Sequence, residues 1–193
     1  SSYSSYPTQF TEAGGRMYFA ASADQFNNSL FVSDGTPEGT QNLFANDPLL
    51  TMESSSAMTA LGDELVFGAK RWSEGWALWK TDGTPGGTLP WLQFPASMPG
   101  LLPSGLFAFD GGVAVVGYTP ATGHELHFAR AEGSLSSWNL NPGSGHSLAR
   151  DFTLHAGELF FTLDDGSHGR ELWKLASGTS APELIADLVP GPT

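Results

Sequence analysis

The 193-residue chain contains no cysteine, which excludes disulfide frameworks, thiolate zinc sites and cysteine nucleophiles. Charge is scarce too: charged residues make up 15% of the chain, eight of them basic and twenty acidic. The formal net charge of −12 leaves no basic surface to neutralise phosphates, which argues against nucleic acid as a partner. An anionic membrane would repel the chain for the same reason, and the compatible ligands are a cation, a cationic partner or a neutral molecule. Acidity also keeps an exported protein soluble without any further role. Apolar runs such as "VAVVG" at 113–117 fall far short of a membrane span, so no membrane insertion is expected. The opening "SSYSSYP" lacks the basic and apolar segments of a signal peptide, so any leader is expected to have been removed or never present.

Glycine and proline are abundant instead, at 24 and 13 residues, so turns are frequent and helices have little room. The chain also repeats itself. "LFVSDGTPEGT" at 30–40 returns as "LWKTDGTPGGT" at 78–88. Three apolar ladders extend the repeat: Phe19, Phe67, Val115, Phe161; Leu30, Leu78, Leu126, Leu172; and Phe10, Met58, Leu106, Phe152. Each has intervals of 48, 48 and 46 residues, so the chain is four copies of one unit, roughly 7–54, 55–102, 103–148 and 149–193.

Within a copy, short apolar runs are split by turn signals. In the second copy these are "GD" at 62–63, "SEG" at 73–75 and "DGTPGG" at 82–87, the spacing of strands joined by tight hairpins. No stretch sustains a helical period with caps at both ends. In "ELVFGA" Leu65, Phe67 and Ala69 share one face and Val66 and Gly68 the other, so both faces are apolar or small and both need covering. The spacing predicts an all-β protein, a β-propeller of four repeats of about 48 residues with four antiparallel strands per blade. The completeness of copies one and four favours a single four-bladed domain over 1–193 that closes on itself. Half of an eight-bladed ring made by two chains, or a slice of a longer array, is the alternative.

"ALWKTDGTPGGT" at 77–88 and "GRELWKLASGT" at 169–179 resemble the ELWxxDGT-type repeat of bacterial exported proteins, and the resemblance spans all four copies. It implies a secreted or surface-displayed protein with propeller-like sheets, and it carries no set of catalytic residues. The motif Glu is Glu125 and Glu171 but Ser29 and Ala77 in the first two copies. The motif Asp is Asp34 and Asp82 but Ala131 and Ser177 later. The motif Trp is Trp79 and Trp173, with Phe31 and His127 elsewhere. A centre that needs the same group from every blade is therefore disfavoured.

Asp34 and Asp82 each precede Gly-Thr, a turn-forming pattern, and no D-x-D-x-D-G spacing supports calcium there. Trp79 and Trp173 read as packing residues between blades. Trp72 and Trp76 flank the polar hairpin "RWSEGW"; with Arg71 and Glu74 they form the candidate ligand site, an exposed Trp beside charges being suited to sugar stacking or protein contact. His124 and His127 lie three apart on a strand and point to opposite faces, so they do not chelate one ion, whereas Glu125 and His127 share a face and are placed to pair. Asp164 and Asp165, with His168 and Arg170 nearby, are the candidate cation site, for calcium or another metal; no other cofactor is implied. Signatures such as G-x-S-x-G, H-E-x-x-H and phosphate-binding glycine loops are absent.

These observations lead to the expectation of an extracellular, non-enzymatic binding module that recognises carbohydrate or protein through hairpin loops at one end of the blades. A lectin with Trp-based sugar sites, and a hydrolase or lyase with a site at the ring axis, are the competing expectations. Self-association through an apolar face is a third.

Overall fold

The computed structural model describes residues 4–22, 24, 27–53, 57–94, 101–143, 145–178 and 181–190, and no helix occurs among them. The strands form four antiparallel sheets. The first takes β1 (Thr8–Ala13), β2 (Arg16–Ser22), β3 (Asn28–Ser33) and β4 (Gln41–Asn42) in chain order. The second contains β5 (Leu50–Thr51), β6 (Met58–Leu61), β7 (Glu64–Arg71), β8 (Gly75–Thr81) and β9 (Leu89–Gln93), ordered β5-β7-β8-β9 with β6 also pairing β7. The third holds β10 (Leu102–Phe109), β11 (Gly112–Thr119), β12 (Gly123–Ala129) and β13 (Leu135–Trp138). The fourth holds β14 (Arg150–His155), β15 (Glu158–Asp164), β16 (Arg170–Ala176) and β17 (Glu183–Ala186). The short β5 lies in the tail of the first repeat yet pairs into the second sheet, through Leu50↔Arg71 and Thr51↔Lys70. The chain divides into two compact units, Ser1–Pro99 and Gly100–Thr193, each holding two sheets.

Turn chemistry accounts for the hairpins. Between the first two strands of sheets one, three and four, the loop residues Gly14–Gly15, Asp110–Gly111 and Ala156–Gly157 all have positive φ. Two consecutive left-handed residues are what a tight hairpin needs to match the right-handed twist of its strands. The DGT turns between the third and fourth strands are closed by side chains. Asp34 Oδ1 accepts from the Thr36 backbone N–H at 2.9 Å and its hydroxyl at 2.7 Å, and Asp82 does the same with Thr84. Thr36 Oγ1 in turn accepts from Gly39 N–H at 3.0 Å, as Thr84 does from Gly87 at 2.9 Å.

Each unit has its own core, built from the same repeat positions. In the first, Tyr18, Leu30 and Val32 of one sheet join Leu65, Phe67 and Trp79 of the next. In the second, Ala114, Leu126 and Phe128 join Leu159, Phe161 and Trp173. Deleting an aromatic ring from such a core costs about 3–5 kcal/mol. Polar contacts add register between neighbouring sheets: Arg16 Nη1 donates to the Asp82 carbonyl at 3.3 Å, while Ser177 Oγ and Gly178 N–H donate to the Asp110 carboxylate at 2.6 and 3.1 Å. The motif glutamates hold the segment that leaves each outer strand: Glu125 Oε2 accepts from Leu140 N–H and Glu171 Oε2 from Leu188 N–H, each at 3.0 Å.

The pairing expected of Glu125 with His127 is not made. Glu125 Oε1 and both His127 ring nitrogens are buried without a hydrogen-bond partner. Burial is the cause of both shifts: it raises the Glu125 carboxyl above its ordinary range and holds the His127 imidazole down at about 4.

Candidate functional site

Every candidate taken from the sequence as a ligand or metal group falls on one structural feature, the hairpin joining the second strand of a sheet to the third. Trp76, His124 and Arg170 occupy the same place in successive repeats, opening β8, β12 and β16 or standing one residue in. The DGT turns lie at the opposite end of the strands, so the two kinds of loop are separated by the length of a sheet. In the first unit a small cavity of about 210 Å³ lies at the DGT end, lined in part by Arg16, Asp34 and Gly83.

In the first unit the hairpin after β7 is fastened from below. Arg71 Nε donates to Asp47 Oδ2 at 3.1 Å and Nη2 donates to the same oxygen, while Nη1 reaches Glu74 Oε1 at 3.2 Å. The guanidinium also lies 5.3 Å from the ring centroid of Trp79. These hydrogen bonds raise the Arg71 pKa, and they commit its donors to structure rather than to a ligand. Trp72 N–H donates to the Leu49 carbonyl at 3.2 Å, and the Trp72 side chain is 72% exposed at the tip. The cation beside its ring is Lys70, with Nζ 5.5 Å from the centroid, and Lys70 is the cross-strand partner of Trp76. Trp76 is half-buried, and its carbonyl, with that of Glu74, accepts from Gln93 Nε2. The exposed group is therefore Trp72 with Lys70 and the half-exposed Leu49, while Arg71 and Glu74 are its scaffold. Asp47 and Lys70 were not singled out from the sequence. Asp47 belongs to the preceding repeat, but the cross-strand neighbour of Trp76 was readable from the hairpin register.

In the second unit the equivalent hairpin borders a cavity of about 400 Å³ between sheets three and four. Ser104, Gly105, Val116 and His124 line it on one side, and residues 148–152 on the other. Both inner strands are irregular here, with register shifts between Pro103 and Gly105 and between Arg150 and Thr153. Leu148 and Asp151 take φ of 45° and 58°, a conformation that costs non-glycine residues free energy and re-aims the side chains between them. Asp151 Oδ2 accepts from Thr162 Oγ1 at 2.9 Å and lies 3.6 Å from Arg150 Nε. The rings of Tyr118, His124 and His146 cluster beside the cavity, with centroids 5.0 Å apart for Tyr118–His124 and 5.4 Å for His124–His146. His124 N–H donates to His146 Nδ1 at 3.0 Å, and burial, then the nearby His146, lowers the His124 pKa. One polar group of the cavity, Asp151, and the lining residue Leu148 sit in left-handed conformations although neither is glycine, and the sequence carries no mark of that.

The Asp164–Asp165 hairpin is a turn in which both carboxylates are occupied. Asp164 Oδ1 accepts from Gly166 N–H at 2.8 Å, and Asp165 Oδ1 from Ser167 and His168 N–H at 2.9 and 2.8 Å. Asp165 Oδ2 pairs with His168 Nδ1 at 2.7 Å, a hydrogen bond that raises the His168 pKa. Burial alone would raise the Asp165 carboxyl, but hydrogen bonds from His168 and Ser167 outweigh it and lower the pKa. Among the described residues no three His, Asp or Glu side chains gather around one point as metal ligands.

No protein-family model matches the chain, and no curated protein matches it. Among solved structures it is similar to a mutant puromycin hydrolase complexed with PGG, with a TM-score of 0.67 and 16% identity over 97% of this chain and 30% of that one. Prolyl oligopeptidase B from Galerina marginata gives a TM-score of 0.55 and 12% identity, covering 91% of this chain and 25% of that protein. The subtype N11 neuraminidase-like protein of A/flat-faced bat/Peru gives 0.56 and 10%, covering 93% and 53%. The fold is a β-propeller. Its four antiparallel sheets are blades, matched to propeller proteins over most of the chain. At these identities the likeness is one of fold alone, and the chain spans less than a third of the length of the hydrolase and the oligopeptidase.

Proposed function

We propose that the chain is an extracellular binding module that recognises carbohydrate by stacking on Trp72, at the end of the blade where the second strand passes to the third. The observation that carries this reading is the rigid presentation of an exposed tryptophan: Trp72 is 72% exposed while its neighbour Arg71 is tied to Asp47 and Glu74. A large aromatic held in water by a braced loop offers a flat apolar face at little ordering cost, and sugars use such faces. Lys70 beside the ring supplies donors for ring oxygens and hydroxyls. The scarcity of basic residues fits a neutral ligand better than a polyanion. The ELWxxDGT-like segments support the extracellular placement.

Protein recognition is the second reading, favoured by Leu49, which is exposed next to Trp72 and widens the apolar patch. A hydrolase reading draws on the second unit's cavity, where Asp151 is the carboxylate among the lining residues and is already engaged by Thr162. Two-carboxylate glycoside chemistry needs a second such group facing the first.

A glycan array probed with the chain and with Trp72→Ala tests the proposal. The wild type binds at least one glycan class, and Trp72→Ala weakens that signal about tenfold or more, equivalent to about 1.4 kcal/mol, with unchanged thermal unfolding. A wild type silent across the array, or a Trp72→Ala chain that binds as the wild type does, overturns it.

A further inference from the structure

The cavity between sheets three and four is lined entirely from one compact unit, Gly100–Thr193. At about 400 Å³ it falls in the range of roughly 300–1,000 Å³ that small-molecule sites occupy. Residues 148–152 line it in an unbroken run. A regular strand turns successive side chains to opposite faces, so such a run needs the bend that Leu148 and Asp151 put into the chain.

The bend belongs to the repeat, because Tyr6 and Gln9 take φ of 45° and 57° at the equivalent places in the first copy. What fills it does not repeat. The first copy has Thr8 and Gln9, and the third Ser104 and Gly105, where the fourth has Arg150 and Asp151. In a chain with eight basic residues, an arginine beside an aspartate on a cavity wall sets the fourth copy apart.

Asp151 is also braced. Thr162 Oγ1 donates to its Oδ2 at 2.9 Å, and Arg170 Nη1 donates to Thr162 Oγ1 at 3.3 Å and to the Leu148 carbonyl at 3.0 Å. One arginine of β16 thus steadies both left-handed residues of the bend, and a group held in place beforehand costs less to bind. Among the described residues Asp151 Oδ1 has no hydrogen-bond partner and Arg150 makes no hydrogen bond. The two side chains are 66% and 63% exposed, with Arg150 Nε 3.6 Å from Asp151 Oδ2. The Ser104 hydroxyl is committed to the Val116 carbonyl at 3.1 Å, which leaves the charged pair and His124 to meet a polar ligand. Val116, Leu148, Ala149 and Phe152 supply the apolar part of the lining.

The geometry points to a second binding site here, for an apolar α-amino acid, with its carboxylate on Arg150, its ammonium on Asp151 and its side chain against Val116 and Phe152. An α-amino acid bears both charges on one carbon, which suits opposite charges 3.6 Å apart. The ligand is neutral overall, so the net charge of −12 does not repel it as it repels a simple carboxylate. The site uses none of the residues around Trp72, and the two stand or fall separately.

Nitrogen-15 NMR titration of the intact chain with leucine, 4-methylpentanoate and 3-methylbutylamine tests the inference. The last two keep the side chain of leucine and lack its ammonium and its carboxylate respectively. Leucine shifts the amide resonances of residues 149–152 saturably at concentrations up to about 10 mM, and each truncated probe binds about tenfold more weakly or worse. Arg150→Gln and Asp151→Asn each weaken leucine binding about tenfold, with unchanged thermal unfolding. Asn keeps an acceptor for Thr162 and tolerates the left-handed conformation; Arg150→Gln, at an exposed position, carries the test alone if the Asn variant does not fold. No shift with leucine up to about 10 mM, a carboxylate or amine probe that binds as well as leucine, or an Arg150→Gln chain that binds leucine as the wild type does overturns the inference.

Discussion

Gly87 has room for no side chain, because a Cβ there would lie 2.1 Å from Asp82 Oδ1; Gly39 stands in the same relation to Asp34, at 2.0 Å. The carboxylate folds over the glycine to reach Thr84, so the Asp and the later Gly of "DGTPGGT" are one device separated by five residues. Gly87→Ala is expected to destabilise the chain by about 1–3 kcal/mol, the usual cost of forced overpacking. Asp82→Ala removes the obstructing atoms, so the double variant loses less than the sum of the two single losses. Urea unfolding of the four chains measures the coupling; strict additivity contradicts this account of the turn. Where the Asp is replaced by Ser177, the turn is held from outside by Asp110, which explains how the fourth copy dispenses with the motif residue.

Strand β12 shows what happens when a ladder position changes chemistry. His127 stands where the second and fourth repeats have Trp79 and Trp173, and it is buried with neither nitrogen partnered. Its folded pKa is about 4 against 6.5 for a free imidazole, so as pH falls the unfolded chain takes up the proton first. Stability is therefore lost between about pH 6.5 and 4, by about 3 kcal/mol in all, and is fully present above that window. Glu125 on the same face has a raised pKa and acts in the opposite sense, so the informative quantity is a difference. His127→Phe is expected to lose markedly less stability than the wild type between pH 7 and pH 4, as read from urea midpoints at each pH. Parallel pH profiles for the two chains contradict the assignment. The ladder itself was legible in the sequence because positions such as Phe67, Trp79, Phe161 and Trp173 meet a core, and burial constrains residue type at a fixed interval. Whether a buried Glu and His two residues apart would find each other was not legible, since sharing a face does not bring two side-chain tips together.

For the molecule as a whole, the repeat made the fold readable: hairpin signals at a constant spacing give four like sheets, and apolar residues on both faces require those sheets to be covered. The candidate site was half readable. Trp72 was visible as a tryptophan in a polar hairpin, but its supports come from elsewhere: Asp47 and Leu49 lie in the tail of the preceding repeat, and Lys70 reaches the ring from the strand below. The short β5 that brings this tail alongside β7 has two residues and no pattern of its own. The three hairpin ends described above and the two DGT ends thus compete as places for recognition, and nitrogen-15 NMR of the intact chain distinguishes them. On titration with the glycan that gives the strongest array signal, the Trp72 indole N–H resonance is expected to shift while those of the buried Trp79 and Trp173 stay in place. A stationary Trp72 resonance, with shifts confined to residues 34–39 and 82–87, would contradict recognition at the hairpin end.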